Sequence, residues 1–459
     1  MAAAVLALAA VILAYSNHFQ NGFHFDDYPR IPQNPYIRNL ANIPKFFTDG
    51  NTSSVLPQLR TWRPLVTTSL AFDYWLGQGY NLFYFHLSTF LWFLAQLALM
   101  YLLFVTLLLW GGPPGPQPAP RPAFPAIENA VHRAGPGGPA QARGPAARLV
   151  ALFAVAWYGL HPAIAETVNY INQRADVMST CGVVAALVVY ARFPRLRKYF
   201  LYLAPLAIGL LSKASAVVFP ALALAYLVLF EKGWSAAGVR AALRLIPALA
   251  LGVVFTLLQF RIAPDSYSGA MPAWDYRITQ PYVVFRYFTS FFLPLNLSLD
   301  SDLGALPSLF TLEGLGGLAF LAAVLYAIYA SARKPATRPI AFGLVWFLVA
   351  NLPTSLFPLA EVENDHRMFF PFVGLALAVT TAGARLLSPL ARVGRRRRVM
   401  VGGSVGLLIL YAAGTRHRNE VWRTDEALWR EVTEKSPKNG RGLMNYGLTQ
   451  MEKGHYPAA

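Results

Sequence analysis

Long apolar runs separated by short polar segments organise almost the whole chain. A membrane span needs about 20 mostly apolar residues, because about 30 Å of hydrocarbon is crossed at 1.5 Å per residue. Eleven runs qualify as candidates, near 2–19, 82–110, 148–163, 176–191, 199–212, 214–230, 244–262, 311–330, 339–353, 367–384 and 399–415. The two runs flanking Lys213 read equally well as one kinked helix, so the expected count is about eleven. The first run lacks a basic leader and is followed by no small-x-small cleavage site, so it reads as a retained helix. The pattern predicts an all-α polytopic membrane domain over 1–415, followed by a more polar helical tail over 416–459.

Composition sharpens this. Only 13% of residues are charged, against about 25% in soluble domains, and the mean hydropathy is +0.40. A soluble multidomain enzyme is thereby largely excluded. The one cysteine, Cys181, excludes a disulfide framework and any cysteine-based zinc site.

The net charge of +17 points either to a polyanionic partner or to topology. With the N-terminus in the cytoplasm, the cytoplasmic connections are 111–148, 192–198, 231–244, 332–338 and 385–398. They hold 20 Lys and Arg against only Glu128 and Glu231, a balance of +18, and the rest of the chain nets −1. That asymmetry is an orientation signal. No nucleic-acid partner is expected, and the partner of the basic face is the bilayer.

The outer side then receives 20–81, 164–175, the turn at Lys213, 263–310, 354–366 and the tail. The Pro/Gly/Ala-rich stretch 111–147 reads as a flexible cytoplasmic linker.

Ionisable groups near the membrane are costly and therefore informative. The first outer segment opens with His24-Phe25-Asp26-Asp27, an acidic pair suited to general-base chemistry or a cation site, or else to a capped loop start or a solvated surface pair. Arg63 follows in Trp62-Arg63-Pro64-Leu65, and a planar guanidinium suits a phosphate. The second outer segment carries His161, Glu166, Arg174 and Asp176, read either as site residues or as helix caps and ion pairs. Lys213 stands alone between apolar runs on the side the positive charges avoid, and His366 and Arg367 close the series. No phosphate-binding glycine loop, dinucleotide fingerprint, HExxH or GxSxG motif occurs.

Taken in order, Phe25-Asp26-Asp27, Trp62-Arg63-Pro64-Leu65, His161-Pro162 with Glu166, Arg174-Ala175-Asp176-Val177, Leu211-Ser212-Lys213, Phe292 to Ser298 and His366 to Pro371 resemble a known set. The chain resembles the membrane glycosyltransferases of the GT-C fold, and among them the transmembrane and tetratricopeptide-repeat O-mannosyltransferases and their bacterial relatives. It carries Ala214 where that family usually has an acidic residue after the lysine. The tail, with Asn445-Tyr446-Gly447-Leu448 and Lys453 to Ala459, is similar to one partial tetratricopeptide repeat. One such repeat cannot bury its own face, so either further repeats follow or the tail packs on the membrane domain.

The resemblance implies inverting transfer of a sugar, mannose in the family, from a polyprenyl- or dolichyl-phosphate donor to Ser or Thr hydroxyls of a protein acceptor. Asp26 and Asp27 would be catalytic, with either able to serve as base. Arg63, Arg174, Lys213 and Arg367 would bind the donor phosphate, supported by His24, His161, Glu166, Asp176 and His366. No cofactor and no metal site are expected, with divalent-metal dependence left open. The alternatives are a GT-C transferase acting on lipid or polysaccharide, and a transporter or flippase. Composition favours a bacterial inner membrane with a periplasmic site and C-terminus, or the endoplasmic reticulum in a eukaryote.

Overall fold

The structure, a computed structural model, describes residues 2–110, 138–231, 235–263, 271–388 and 394–456. Among them the chain forms helices and turns and no strand. Nine described helices are long and apolar enough to cross a membrane, and a tenth candidate is the pair Gly144–Gly159 and Pro162–Asn169, bent by 60°. The expected span 199–212 contracts to Leu203–Ser212, ten residues, which rise only about 15 Å. It covers about half of a hydrocarbon core.

Two further expectations shift. The linker 111–147 lies outside the described residues over 111–137, and the chain is already helical from Gly138. The segment 263–310, expected as an outer loop, carries the 20-residue helix Ala273–Phe292. Its polar side chains mask it in the hydropathy pattern, yet they are satisfied by a neighbouring segment. Arg277 donates to the Leu356 carbonyl (2.9 Å), Gln280 to the Val362 carbonyl (3.1 Å) and Arg286 to Glu363 (2.7 Å).

Burial orders the helices from centre to rim. Ile171–Arg192 has 83% of its apolar window buried, whereas Leu312–Ala332 and Gly394–Val421 have 11%. The first is therefore the protein-packed axis of the bundle and the other two face lipid. Helices in lipid gain nothing from hydrophobic burial against one another, so close contact between small residues must hold them. Gly182 meets Gly209 so tightly that a Cβ there would sit 2.6 Å from the Gly209 nitrogen. Gly374 likewise meets Gly343, and a Cβ on it would lie 2.7 Å from the Trp346 Cβ.

The bent pair is the local feature that builds the site. Pro162 disfavours a helical conformation at His161, which is extended at φ −79 and ψ 125. The helix stops, and His161 Nδ1 caps the next one by accepting from the Ala163 N–H (3.1 Å). That short helix, Pro162–Asn169, is buried at every position and carries Glu166 inward.

The tail forms two helices, Asp425–Lys435 and Gly440–Glu452. The hairpin packs Trp422, Leu428, Trp429 and Val432 against Tyr170, Leu299 and Phe25 of the membrane domain. The tail is thus docked on the membrane domain.

The glycine contacts yield a paired prediction. Gly374→Leu forces two backbones apart and should lower thermal stability in detergent by more than about 2 kcal/mol. Gly383→Leu on the same helix has nothing within 4 Å of its Cβ and should change stability by less than about 0.5 kcal/mol. Equal stability of the two variants contradicts this packing.

Candidate active site

The acidic pair sits in a turn that the rest of the molecule holds from several sides. Phe25, just before it, has φ 43 in the left-handed region, which costs a residue with a bulky side chain energy and persists only where surroundings impose it. Asp27 is fully buried. One of its carboxylate oxygens accepts from the His24 N–H (3.1 Å) and the other from the Asn172 N–H (2.7 Å). Asp27 thus ties the first outer segment to the turn after Pro162–Asn169. Burial pushes its carboxyl up to about 7, against the smaller opposing pull of these N–H groups and of His24.

Asp26 is placed differently. Its backbone N–H donates to the Tyr170 hydroxyl (3.0 Å). Among the described residues, its carboxylate takes only a long hydrogen bond from the Asn172 side chain (3.5 Å). Burial raises its pKa, Arg30, Arg441 and Arg63 pull it down, and Glu361 pushes it up. Asp26 is the member of the pair with lone pairs to spare inside a ring of cations.

The four cations expected at a phosphate separate into two kinds. Arg174 is fully buried and committed. It pairs with Asp73 and donates to Thr89 (2.8 Å), Ser69 (3.1 Å) and the Phe85 carbonyl (2.5 Å). Four of its five N–H groups are thus engaged within the protein. Lys213 donates to Asp176 (2.6 Å). Its ammonium is depressed by burial, opposed by Asp176 and reinforced by Arg63 and Arg367. Arg63 and Arg367 therefore both act on Lys213. Arg367 is held by the carbonyls of Glu361 (2.9 Å) and Val362 (3.3 Å).

The supporting residues divide in the same way. His161 hydrogen-bonds the Phe291 carbonyl (3.0 Å) and caps a helix. His24 bridges Asp425 (2.6 Å) and the Trp422 carbonyl (2.5 Å), latching the tail to the acidic turn. Glu166 lies 3.4 Å from His366 Nδ1. Both Glu166 oxygens and that nitrogen lack a hydrogen-bond partner among the described residues. No group of three or more His, Cys, Asp or Glu positioned for a metal occurs among the described residues.

Sequence reasoning missed four contributors: Arg30, Tyr170, Asn172 and Arg441. Tyr170 and Asn172 belong to the polar run Asn169-Tyr170-Ile171-Asn172-Gln173 between two apolar stretches, a signal that was available. Arg441 comes from the tail. It pairs with Asp300 (2.5 Å) and Glu361 (2.7 Å), and its guanidinium lies 5.3 Å from the Phe25 ring centre.

Comparison with known proteins bears out the resemblance read from the motifs. The chain is 24% identical over 228 residues to protein O-mannosyl-transferase TMTC1 of Mus musculus, covering 45% of this chain and 24% of that protein. It is 24% identical over 169 residues to protein O-mannosyl-transferase TMTC1 of Homo sapiens, covering 35% of this chain and 19% of that protein. The matched region spans less than a quarter of these relatives' length. No family model matches, and no solved structure matches.

Asp27 supplies the prediction here. Its carboxyl holds a proton up to about pH 7 in the folded chain, against 3.8 ordinarily. The folded state therefore binds the extra proton, and the stability linked to this group is present below about pH 4 and lost as pH rises towards 7. Asp27→Asn should remove that part of the decline in melting temperature, while lowering stability by about 1–3 kcal/mol at pH 4 through the mismatched N–H. An unchanged pH slope in the variant contradicts the assignment.

Proposed function

We propose that this chain is a membrane-embedded glycosyltransferase that moves a sugar onto protein hydroxyl groups, with Asp26 as the base. The observation that carries the reading is the division of labour in the acidic pair. Asp27 has both oxygens bound by backbone N–H groups, while Asp26 keeps an under-used carboxylate among Arg30, Arg63 and Arg441. The similarity to O-mannosyl-transferases supports the class of reaction.

The donor in this reading is a polyprenyl- or dolichyl-phosphate sugar, mannose by analogy with the names of the relatives. Its lipid chain stays in the bilayer and its phosphate lies among Lys213, Arg63 and Arg367. As the acceptor oxygen attacks the anomeric carbon, the bond from that carbon to the phosphate oxygen breaks, with inversion. The phosphodiester becomes a monoester and gains one negative charge, which the three cations stabilise most when it is fully formed. The acceptor hydroxyl's proton passes to Asp26, and the product carries the new sugar–oxygen bond.

Asp176 positions Lys213, Asn172 steadies Asp26, and Asp27 fixes the turn that carries both. Glu166 and His366 support the cations, His366 lying within the field of Lys213, Arg63 and Arg367 and 3.4 Å from Glu166. The helical arrangement is of the GT-C kind in this proposal, and the tail is a partial tetratricopeptide hairpin. The end bearing Asp26 faces away from the cytoplasm, because the basic connections define the opposite end.

In a purified assay of the full chain with lipid-phosphate sugar and a Ser/Thr peptide, Asp26→Asn should lower transfer by about 10²–10⁴-fold. Its melting temperature should stay close to wild type. Near-normal transfer by this variant removes Asp26 from the mechanism.

A further inference from the structure

At the end of the bundle opposite the acidic turn, helix ends enclose a cavity of about 560 Å³. Its volume falls within the about 300–1,000 Å³ of small-ligand sites. The helix Arg174–Arg192 begins beside the acidic turn and has 19 residues, which rise about 28 Å. That is close to the thickness of a hydrocarbon core. Tyr190, in its last turn, lines the cavity. The other walls are the segment 194–202, the end of Ala214–Glu231 and the start of Gly238–Ile262.

The charge in this cavity is unbalanced. Arg197, Lys198 and Arg244 line it against one carboxylate, Glu231. Glu231 accepts from Arg197 (2.7 Å), whose guanidinium also lies 4.8 Å from the Tyr190 ring centre. Arg197 is thereby fixed in the wall, with N–H donors left over. Lys198 lies 5.7 Å from the Tyr199 ring centre. Neither Lys198 nor Arg244 makes a side-chain hydrogen bond or ion pair among the described residues. The unspent charge is positive.

Basic residues at this end orient the chain, and for that they need only solvent. These three differ because they converge on one concave site with aromatic walls. Tyr202 donates to the Arg244 carbonyl (3.2 Å) and so ties two of those walls together. Phe200, in a third, has φ 58. That left-handed conformation is costly and persists only where surroundings impose it. Here a tight turn imposes it, in which the Phe200 and Leu201 N–H groups donate to the Arg197 and Leu196 carbonyls (both 3.1 Å).

The surroundings point to a lipid. Phe193, Leu196, Tyr199 and Leu201 are all exposed around the same loop. Apolar and aromatic side chains beside Lys and Arg match the headgroup level of a bilayer. Basic pockets between membrane helices suit anionic headgroups.

We propose that this cavity binds the headgroup of an anionic phospholipid from the leaflet opposite the acidic turn. Lys198 and Arg244 would take the phosphate oxygens, and Arg197, held by Glu231, would add N–H donors. The exposed apolar side chains would lie along the acyl chains. The site stands apart from sugar transfer and does not depend on that reading.

The test offers the full chain, in neutral detergent and without donor, equal amounts of phosphatidylglycerol and phosphatidylcholine. Native mass spectrometry counts the lipid retained. The chain should prefer phosphatidylglycerol, and Lys198→Gln with Arg244→Gln should lower that preference by about 25-fold, or about fivefold for each cation near an anionic surface. Arg396→Gln with Arg397→Gln removes the same charge from an exposed basic run and should leave most of the preference in place. Ala241→Phe fills the cavity without changing its charge and should also reduce retention, with a melting temperature close to wild type. No preference in the wild type, or equal losses in the two double variants, overturns the pocket. Retention against millimolar inorganic phosphate supports a lipid ligand, whereas displacement by it assigns the site to a free anion and overturns the proposal.

Discussion

A buried guanidinium organises the end of this bundle that carries the acidic pair. Arg174 opens the most deeply packed helix and joins Pro64–Leu76 to Leu82–Leu108 through Asp73, Ser69, Thr89 and the Phe85 carbonyl. Removing one partner of a buried pair costs about 3–5 kcal/mol, because the other charge is left uncompensated in low dielectric. The turn that starts at Tyr170 is therefore held where Asn172 meets both carboxylates and Tyr170 meets the Asp26 N–H. A buried, paired cation beneath the site gives the acidic turn a rigid floor.

The roof comes from the tail. His24 and Tyr28 both hydrogen-bond Asp425 (2.6 and 2.8 Å), and Arg441 adds its charge above Phe25. The hairpin closes over the segment that carries Asp26, and its docking residues are largely charged or aromatic. Asp26 feels the charges of Arg30 and Arg63 from the membrane domain and of Arg441 from the tail. That arrangement keeps a buried carboxyl ionisable while leaving its oxygens open to an incoming hydroxyl.

Much of the fold was legible because lipid imposes a simple rule, that a spanning segment must be long, apolar and helical. The runs at 82–110 and 311–330 needed nothing more. The rule says nothing of Ala273–Phe292, a helix outside the candidate spans, whose Arg286 and Gln280 find Glu363 and the Val362 carbonyl 77 and 82 residues away. The acidic pair, Lys213 and Arg367 were legible as charges standing where charges are rare. Their roles were not. The partner that fixes Arg174, Asp73, lies 101 residues distant. Arg441 was hidden for the same reason, because its partner Asp300 lies 141 residues away.

The account depends on Asp26 acting as a base whose ionisation is governed by the cations around it. The most direct measurement is the pH dependence of kcat/KM for sugar transfer in wild type and in Arg441→Met. Arg441 lowers the proton affinity of Asp26, so its removal raises that affinity and a higher pH is needed to ionise the base. The acidic limb of the profile should move to higher pH in the variant. A limb that stays in place, or moves to lower pH, would contradict the central claim.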